Sequence, residues 1–159
     1  MDTVANDKKI SWPAPFAGVV TLVTLVGSAI GIVQYYQQKT IHDITGTWTI
    51  TDKTAKTSYS PYQNLEVTYT VTVTQSGSDF TGSGTKTTES GHPVIGRAHT
   101  PIQVKGKVVD DQIVAYFTEE GTARQSTGGF NWKLTGDRKW AGTFYSDAAN
   151  SSGASALSQ

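Results

Sequence analysis

Three cationic and two aromatic side chains stand at positions where the alternating pattern of this sequence brings charges and ring planes together. Guanidinium and ammonium groups bind phosphates through charge-assisted hydrogen bonds, and aromatic rings bind nucleobases by stacking. The five residues therefore predict a binding site for a phosphate-bearing aromatic ligand. They are Tyr69, Lys86, Arg97, Arg124 and Trp132. Taken singly, the cations are also compatible with hydrated rim charges, and the rings with ordinary core residues.

Other kinds of site chemistry have little support in the sequence. The chain contains no cysteine, which excludes disulfides, thiolate metal sites and thiol nucleophiles. His42, His92 and His99 lack the spacing of metal ligands. Asp110–Asp111 and Glu119–Glu120 have the pattern of a turn and of a solvated strand end. We expect no catalytic centre, no metal and no cofactor, and an enzyme is the least favoured function class.

The charge of the chain limits the partners it can bind. Its 159 residues include 13 basic and 13 acidic side chains, so the formal net charge is zero. A protein that binds duplex nucleic acid needs a broad basic surface, which this balance does not provide. We therefore expect no duplex nucleic acid partner. An anionic ligand would have to be held by a few local charges.

The elements that must position these residues are strands. After His42 the apolar residues alternate with polar ones at a period of two. Seven strands are predicted, at 46–52, 66–75, 79–87, 101–109, 112–119, about 124–134 and 139–146, with an eighth in 54–63 or 93–99. The predicted fold is all-β: a small up-and-down antiparallel β-barrel of about eight strands, lipocalin- or avidin-like, over residues 44–147. The small polar composition of residues 148–159 predicts a disordered tail.

Side-chain parity predicts how neighbouring strands pair. Each hairpin must bring apolar faces together on the same side of the sheet. The expected pairs are Gln75 with Phe80, Tyr69 with Lys86, Val108 with Ile113, Trp132 with Gly142 and Phe130 with Phe144. The last two pairs require a three-residue loop with a β-bulge.

These hairpins give the predicted barrel two different ends. The short turns of the three hairpins paired above lie at one end of the barrel. Large apolar side chains are expected to plug this end: Trp48, Phe80, Leu134 and Trp140. The longer connections, 53–65, 87–100 and 120–123, gather at the other end. That end is the predicted mouth, and the candidate ligand-binding residues lie near it.

A different kind of element precedes the strands. Residues 14–33 carry no charge, and a helix of that length spans about 30 Å, the thickness of the hydrocarbon core. We expect a short tail at 1–12 and a transmembrane helix at 13–38. Trp12 on one side and Tyr35 and Tyr36 on the other flank the uncharged run, as an aromatic belt would. A cleaved signal peptide is the alternative. A buried soluble helix is less favoured, because the segment is apolar around its whole circumference.

Small residues in this segment predict helix packing in the membrane. Thr21, Thr24 and Ser28 follow one helical face, and Gly27 and Gly31 form a GxxxG pair. Small residues let two helix backbones approach closely in lipid, where packing drives association. We therefore expect a homo-oligomer.

An N-terminal membrane segment followed by a barrel with GTW at 46–48 and W-x-G-x-F at 140–144 resembles a known group of proteins. These are the transmembrane β-barrel effectors of cyclic-oligonucleotide-based antiphage signalling (CBASS) and related defence systems. The resemblance implies a cytoplasmic barrel, tethered to the bacterial inner membrane, that senses a cyclic dinucleotide. It also implies ligand-driven oligomerisation, membrane disruption and death of the infected cell. Members commonly have two transmembrane helices, whereas this chain is expected to be single-pass.

Two further interpretations compete with that one. The first is an exported or envelope-anchored barrel of the lipocalin or avidin type that binds a small apolar ligand. The second is a structural role, in which the barrel is a docking surface for a membrane partner and binds no small molecule. The resemblance assigns no binding residues in this sequence, so the five candidate residues depend on the parity argument.

Overall fold

A closed antiparallel barrel forms the described part of the chain. The computed structural model describes residues 40–96, 100–121 and 124–159. Its strands are β1 (Gly46–Lys56), β2 (Glu66–Ser76), β3 (Asp79–Glu89), β4 (His92–Pro93), β5 (Pro101–Val109), β6 (Gln112–Glu120), β7 (Gln125–Gly136), β8 (Lys139–Ser146) and β9 (Ser151–Ser158). All except β4 form an eight-stranded meander that β9 closes by pairing with β1. The expected all-β antiparallel barrel is confirmed.

The predicted registers are also confirmed. Gln75 pairs with Phe80 and Tyr69 with Lys86 across β2 and β3. The remaining predicted pairs are Val108 with Ile113, Trp132 with Gly142 and Phe130 with Phe144. The β7–β8 ladder shifts register between Leu134 and Gly136, where the bulge was expected. Strict alternation of side chains explains the agreement, because a slip of one residue would turn every apolar side chain of a strand toward water.

Residues before the first strand contribute to the plugged end. Ile44 is 1% exposed, and its carbonyl accepts a hydrogen bond of 2.7 Å from Nε1 of Trp48. The side chain of Gln75 holds the same segment twice, accepting from the Ile44 amide at 2.8 Å and donating to the His42 carbonyl at 3.0 Å. Trp48, Phe80 and Trp140 are buried as expected, with Leu134 packed against them. The segment that crosses this end was not predicted.

The prediction of a disordered tail is wrong, because residues 151–158 form the strand that closes the barrel. β9 pairs with β1 on one side and with β8 on the other. Its inward side chains, Ser155 and Leu157, are each 3% exposed. Two complete ladders of backbone hydrogen bonds outweigh a composition that is poor in large strand-forming residues.

The eighth strand also lies elsewhere than expected. β1 continues to Lys56, and the connection that follows contains a short 3-10 turn at Ser60–Tyr62. Within 93–99 the described residues contain only the end of β4, which pairs with the outer end of β3. Apart from the end of β1 at Lys56, the described residues of these two segments supply no barrel strand.

The membrane prediction lies outside the described residues. The helix expected at 13–38, and with it Thr21, Thr24, Gly27, Ser28 and Gly31, is in the part of the chain that the structure does not describe. Among residues 40–96, 100–121 and 124–159, no helix has the length and apolar character needed to cross a bilayer.

Leu157 tests the closing role of β9. We expect Leu157→Ala to lower the free energy of unfolding by about 2–5 kcal/mol, since it removes a fully buried side chain from the core. Ala156→Ser is the matched control, because Ala156 is the exposed neighbour in the same strand. Thermal unfolding of the full chain in detergent, followed by near-ultraviolet circular dichroism, measures both. Equal midpoints for Leu157→Ala and the wild type would contradict the role of β9.

Candidate functional site

A cavity of about 290 Å³ opens at the end of the barrel that carries the longer connections. Its wall combines apolar and aromatic surface with ionisable groups from several strands. The apolar and aromatic residues are Tyr62, Leu65, Val67, Tyr69, Phe117 and Phe144. The charged residues are Asp52, Lys86, Glu89, Glu119 and Arg124. We call this cavity the mouth. A concave surface with a few converging polar groups is the usual form of a small-molecule site.

Lys86 lies inside the mouth and is paired with carboxylates. Its Nζ is 3.1 Å from Oε1 of Glu119 and 3.5 Å from Oε2 of Glu89. The side chains of Lys86 and Glu119 are only 15% and 14% exposed. Thr100 Oγ1 donates a further hydrogen bond of 2.9 Å to Glu119 Oε1. The protein thus already neutralises much of the Lys86 charge, and a ligand phosphate would have to compete with Glu119 for it.

Glu119 corrects the sequence interpretation of residues 119 and 120. It continues the inward alternation of Ile113, Ala115 and Phe117 along β6, so its side chain turns into the mouth. The prediction of a solvated strand end is therefore correct for Glu120, which is exposed, and wrong for Glu119. The alternation along β6 could therefore have predicted from the sequence that the Glu119 side chain turns inward.

Tyr69 faces Lys86 across the ladder and is 6% exposed. Burial raises the pKa of its phenol well above the ordinary value, and the negative charges of Glu119 and Asp52 raise it further. The hydroxyl is therefore a neutral hydrogen-bond donor at every physiological pH. It adds a polar contact to the wall without adding charge.

Asp52 is the most unusual group in the mouth. It is 6% exposed, and its Oδ1 has no hydrogen-bond partner among the described residues. Burial raises its pKa to about 7; a hydrogen bond from Ser155 opposes this effect, and the charge of Glu119 adds to it. Asp52 is not among the five residues predicted from the sequence. The alternation of Trp48 and Ile50 on β1 nevertheless places Asp52 on the inward face.

The structure brings three of the five predicted site residues together. Tyr69, Lys86 and Arg124 all line the mouth. Arg124 is exposed at the rim, where its Nη2 donates to the Asp147 carbonyl at 3.4 Å. Trp132 lies in the core and does not line the cavity: it is 1% exposed and stacks on Phe130 at 4.4 Å between ring centroids. Arg97 lies outside the described residues.

The charge balance of the mouth differs from the predicted cationic rim. Its described lining holds three carboxylates, Asp52, Glu89 and Glu119, against two cations, Lys86 and Arg124. The wall is therefore rich in hydrogen-bond acceptors, with cationic charge at Arg124 on the rim. Within the described ranges, no group of three or more His, Asp or Glu side chains is arranged to hold a metal ion.

A second concave surface, of about 590 Å³, lies on the outside of the barrel across β6 to β9 and the end of β1. Tyr116 and Tyr145 border it and are 56% and 55% exposed. Apart from tyrosines, Lys56 is the one ionisable residue in its described lining. This surface is larger than the mouth but offers few ionisable groups to a ligand. We therefore regard the mouth as the candidate site.

Asp52 makes the stability of the barrel depend on pH. An aspartate in the unfolded chain ionises near pH 4, whereas folded Asp52 ionises near pH 7. Between these values only the unfolded state loses the proton, so the contribution of Asp52 to stability falls as pH rises. At about 1.4 kcal/mol for each pH unit in this window, the full loss is on the order of 4 kcal/mol.

We expect Asp52→Asn to remove this loss. The variant should gain stability relative to the wild type as pH rises from about 4 to 7, and the difference should then level off. Chemical denaturation of both full-length proteins in detergent, at a series of pH values, measures the difference. Parallel stability profiles would show that Asp52 has an ordinary pKa.

Known proteins add no residue assignments to this site. Comparisons of the chain with protein-family models, with curated proteins and with solved structures found no significant match. The chemistry of the mouth must therefore be interpreted from its own side chains. Those side chains provide a buried unpaired carboxylate, a neutral phenol, a shielded ion pair and an exposed guanidinium around one opening.

Proposed function

We propose that the protein is a membrane-anchored receptor for a cyclic dinucleotide, and that it acts as an antiphage effector. Ligand binding would drive oligomerisation, and the membrane segment would then disrupt the bacterial inner membrane and kill the infected cell. The observation that carries the proposal is the mouth, in which buried hydrogen-bonding groups lie beside aromatic rings below an exposed guanidinium. The resemblance of architecture supplies the effector mechanism.

The two parts of a cyclic dinucleotide match the two zones of the mouth. A nucleobase has a flat apolar face and an edge that carries N–H donors. The inner zone offers the rings of Phe117 and Phe144 together with the carboxylates of Asp52 and Glu119. The phosphodiester groups are anionic and strongly hydrated, and they would remain at the rim beside Arg124, whose guanidinium has five donors. An acceptor-rich interior is therefore consistent with a ligand whose net charge is negative.

The size of the cavity supports partial insertion of the ligand. Pockets for small ligands measure about 300–1,000 Å³, and the mouth, at about 290 Å³, is at the lower limit. The inner zone thus has room for one base-sized group. The remainder of a cyclic dinucleotide would lie across the opening, where a second protein chain could also contact it.

A carrier of small apolar ligands is less consistent with this wall. An apolar ligand would remove water from Asp52, Glu89 and Glu119 without offering hydrogen bonds in return. Desolvation of a polar group without a new partner costs several kcal/mol on transfer scales. A ligand with its own donors avoids this cost.

Arg124 tests the placement of the phosphates. We expect titration calorimetry of the full chain in detergent to detect binding of at least one cyclic dinucleotide from a panel. Arg124→Ala should weaken that affinity by about tenfold or more, which corresponds to the 1.4 kcal/mol or so of a lost charge-assisted hydrogen bond. Lys133→Ala is the matched control, because it removes one positive charge from an exposed outward position on β7. Absence of binding across the whole panel would refute the proposed function.

The membrane segment tests the effector step separately. We expect Gly27→Ile and Gly31→Ile to abolish toxicity in cells that produce the ligand, because each adds bulk to the small-residue helix face. Ligand affinity should remain unchanged. Val26→Ile is the control and should remain toxic, because the helical period places residue 26 at least 100° around the predicted helix from both glycines. A ligand can shift the protein toward an assembled state only by its higher affinity for that state, so persistent killing by both glycine variants would refute the role of helix packing.

A further inference from the structure

The unpartnered Asp52 oxygen is the one feature of the mouth that the barrel itself does not explain. A buried hydrogen-bonding atom without a partner destabilises the fold, and a buried charge destabilises it more. An asparagine of the same shape would avoid the charge. The inward neighbours of Asp52 on β1, Ile50 and Thr54, are uncharged. A group retained at this cost inside an open cavity is well placed to bind something that enters it.

Two buried side chains lie behind the carboxylate. Asp52 lies directly opposite Ser155 in the β1–β9 ladder. The Ser155 Oγ accepts a hydrogen bond of 2.9 Å from Nε1 of Trp132. The Ser155 hydroxyl hydrogen therefore remains available to the Asp52 carboxylate, whose pKa Ser155 lowers against the effect of burial. Ser155 is 3% exposed and Trp132 is 1% exposed, so this side of the carboxylate is closed to water.

Asp52 differs in this respect from the other carboxylate of the inner wall. Glu119 Oε1 already receives a hydrogen bond from Thr100 and lies 3.1 Å from the Lys86 ammonium group. Its charge is thus compensated by the protein. Asp52 Oδ1 has no hydrogen bond to lose, although it is covered by its neighbours. A ligand donor that reaches it when those side chains move aside would therefore form a hydrogen bond without breaking one.

We infer that Asp52 is the specificity-determining residue of the mouth and that its Oδ1 accepts a hydrogen bond from the N–H edge of a guanine base. This inference rests on the proposed function. Guanine presents two adjacent N–H donors, the ring N1–H and the exocyclic amino group. The ionised carboxylate, which is the form of Asp52 above about pH 7, is an acceptor-only group that matches them. Adenine presents one amino donor beside the N1 lone pair, which a carboxylate repels.

The same logic predicts how the preference can be reversed. An amide in place of the carboxylate offers one acceptor and one donor, the pattern with which asparagine pairs with adenine. Asp52→Asn should therefore weaken binding of cyclic di-GMP by at least tenfold and strengthen binding of cyclic di-AMP relative to it. The matched control is Glu120→Gln, which makes the same chemical change in an exposed carboxylate at the end of β6 that does not line the mouth. It should leave the ratio of the two affinities unchanged.

Calorimetric titration of wild type, Asp52→Asn and Glu120→Gln full-length chains with cyclic di-GMP, cyclic di-AMP and cyclic GMP–AMP at about pH 8, where Asp52 is ionised, tests the inference. Near-ultraviolet circular dichroism shows that each variant retains the packed tryptophan core. Tighter binding of cyclic di-GMP by the wild type, with a reversed ratio in Asp52→Asn alone, is the expected result. Wild-type preference for cyclic di-AMP, or the same ratio in all three chains, would overturn the assignment of Asp52 while leaving the receptor function intact. Binding of none of the three by the wild type would overturn both.

Discussion

Closure of the sheet by the pairing of β9 with β1 is the constraint on which the rest of the structure depends. An open meander would leave two strand edges with unpaired backbone groups and would have no inside. Closure satisfies both edges and encloses one volume lined by every second side chain. Because the tight turns lie at one end and the longer connections at the other, this volume is plugged at one end and open at the other. The mouth exists because the last strand completes the ring.

The interior changes character along the barrel axis. Toward the plugged end it is packed with large apolar groups, among them Trp48 and Trp140, and the backbone of residues 40–45 covers the opening. Toward the mouth the same inward positions carry Asp52, Lys86 and Glu119. Buried charges are tolerated when they are paired or remain near water, and the ion pair of Lys86 with Glu119 meets the first condition. Asp52 has no cationic partner and is almost fully removed from water, which is why its pKa is raised to about 7.

The row formed by Trp132, Ser155 and Asp52 connects the two zones. A core tryptophan that does not itself line the cavity donates a hydrogen bond to a serine on the closing strand, and that serine lies directly opposite the carboxylate that does line it. Trp132 therefore contributes to the mouth by positioning rather than by contact. The strand that completes the fold also supplies the support for its most reactive acceptor, so closure of the barrel and the chemistry of the site cannot be separated.

Local alternation by itself determined the strands β1 to β3 and β5 to β8, their registers and the inward direction of Tyr69 and Lys86, because a period of two leaves only one face that can be buried. The same alternation also places Asp52 and Glu119 on the inward face, although neither is among the predicted site residues. Tertiary structure alone decided that residues 151–158 form a strand, since two neighbouring ladders outweigh their composition. It likewise decided that Glu119 would neutralise Lys86 and that Trp132 would lie below the cavity. These outcomes depend on which strands become neighbours when the sheet closes and on how deep each position then lies, and no local pattern contains that information.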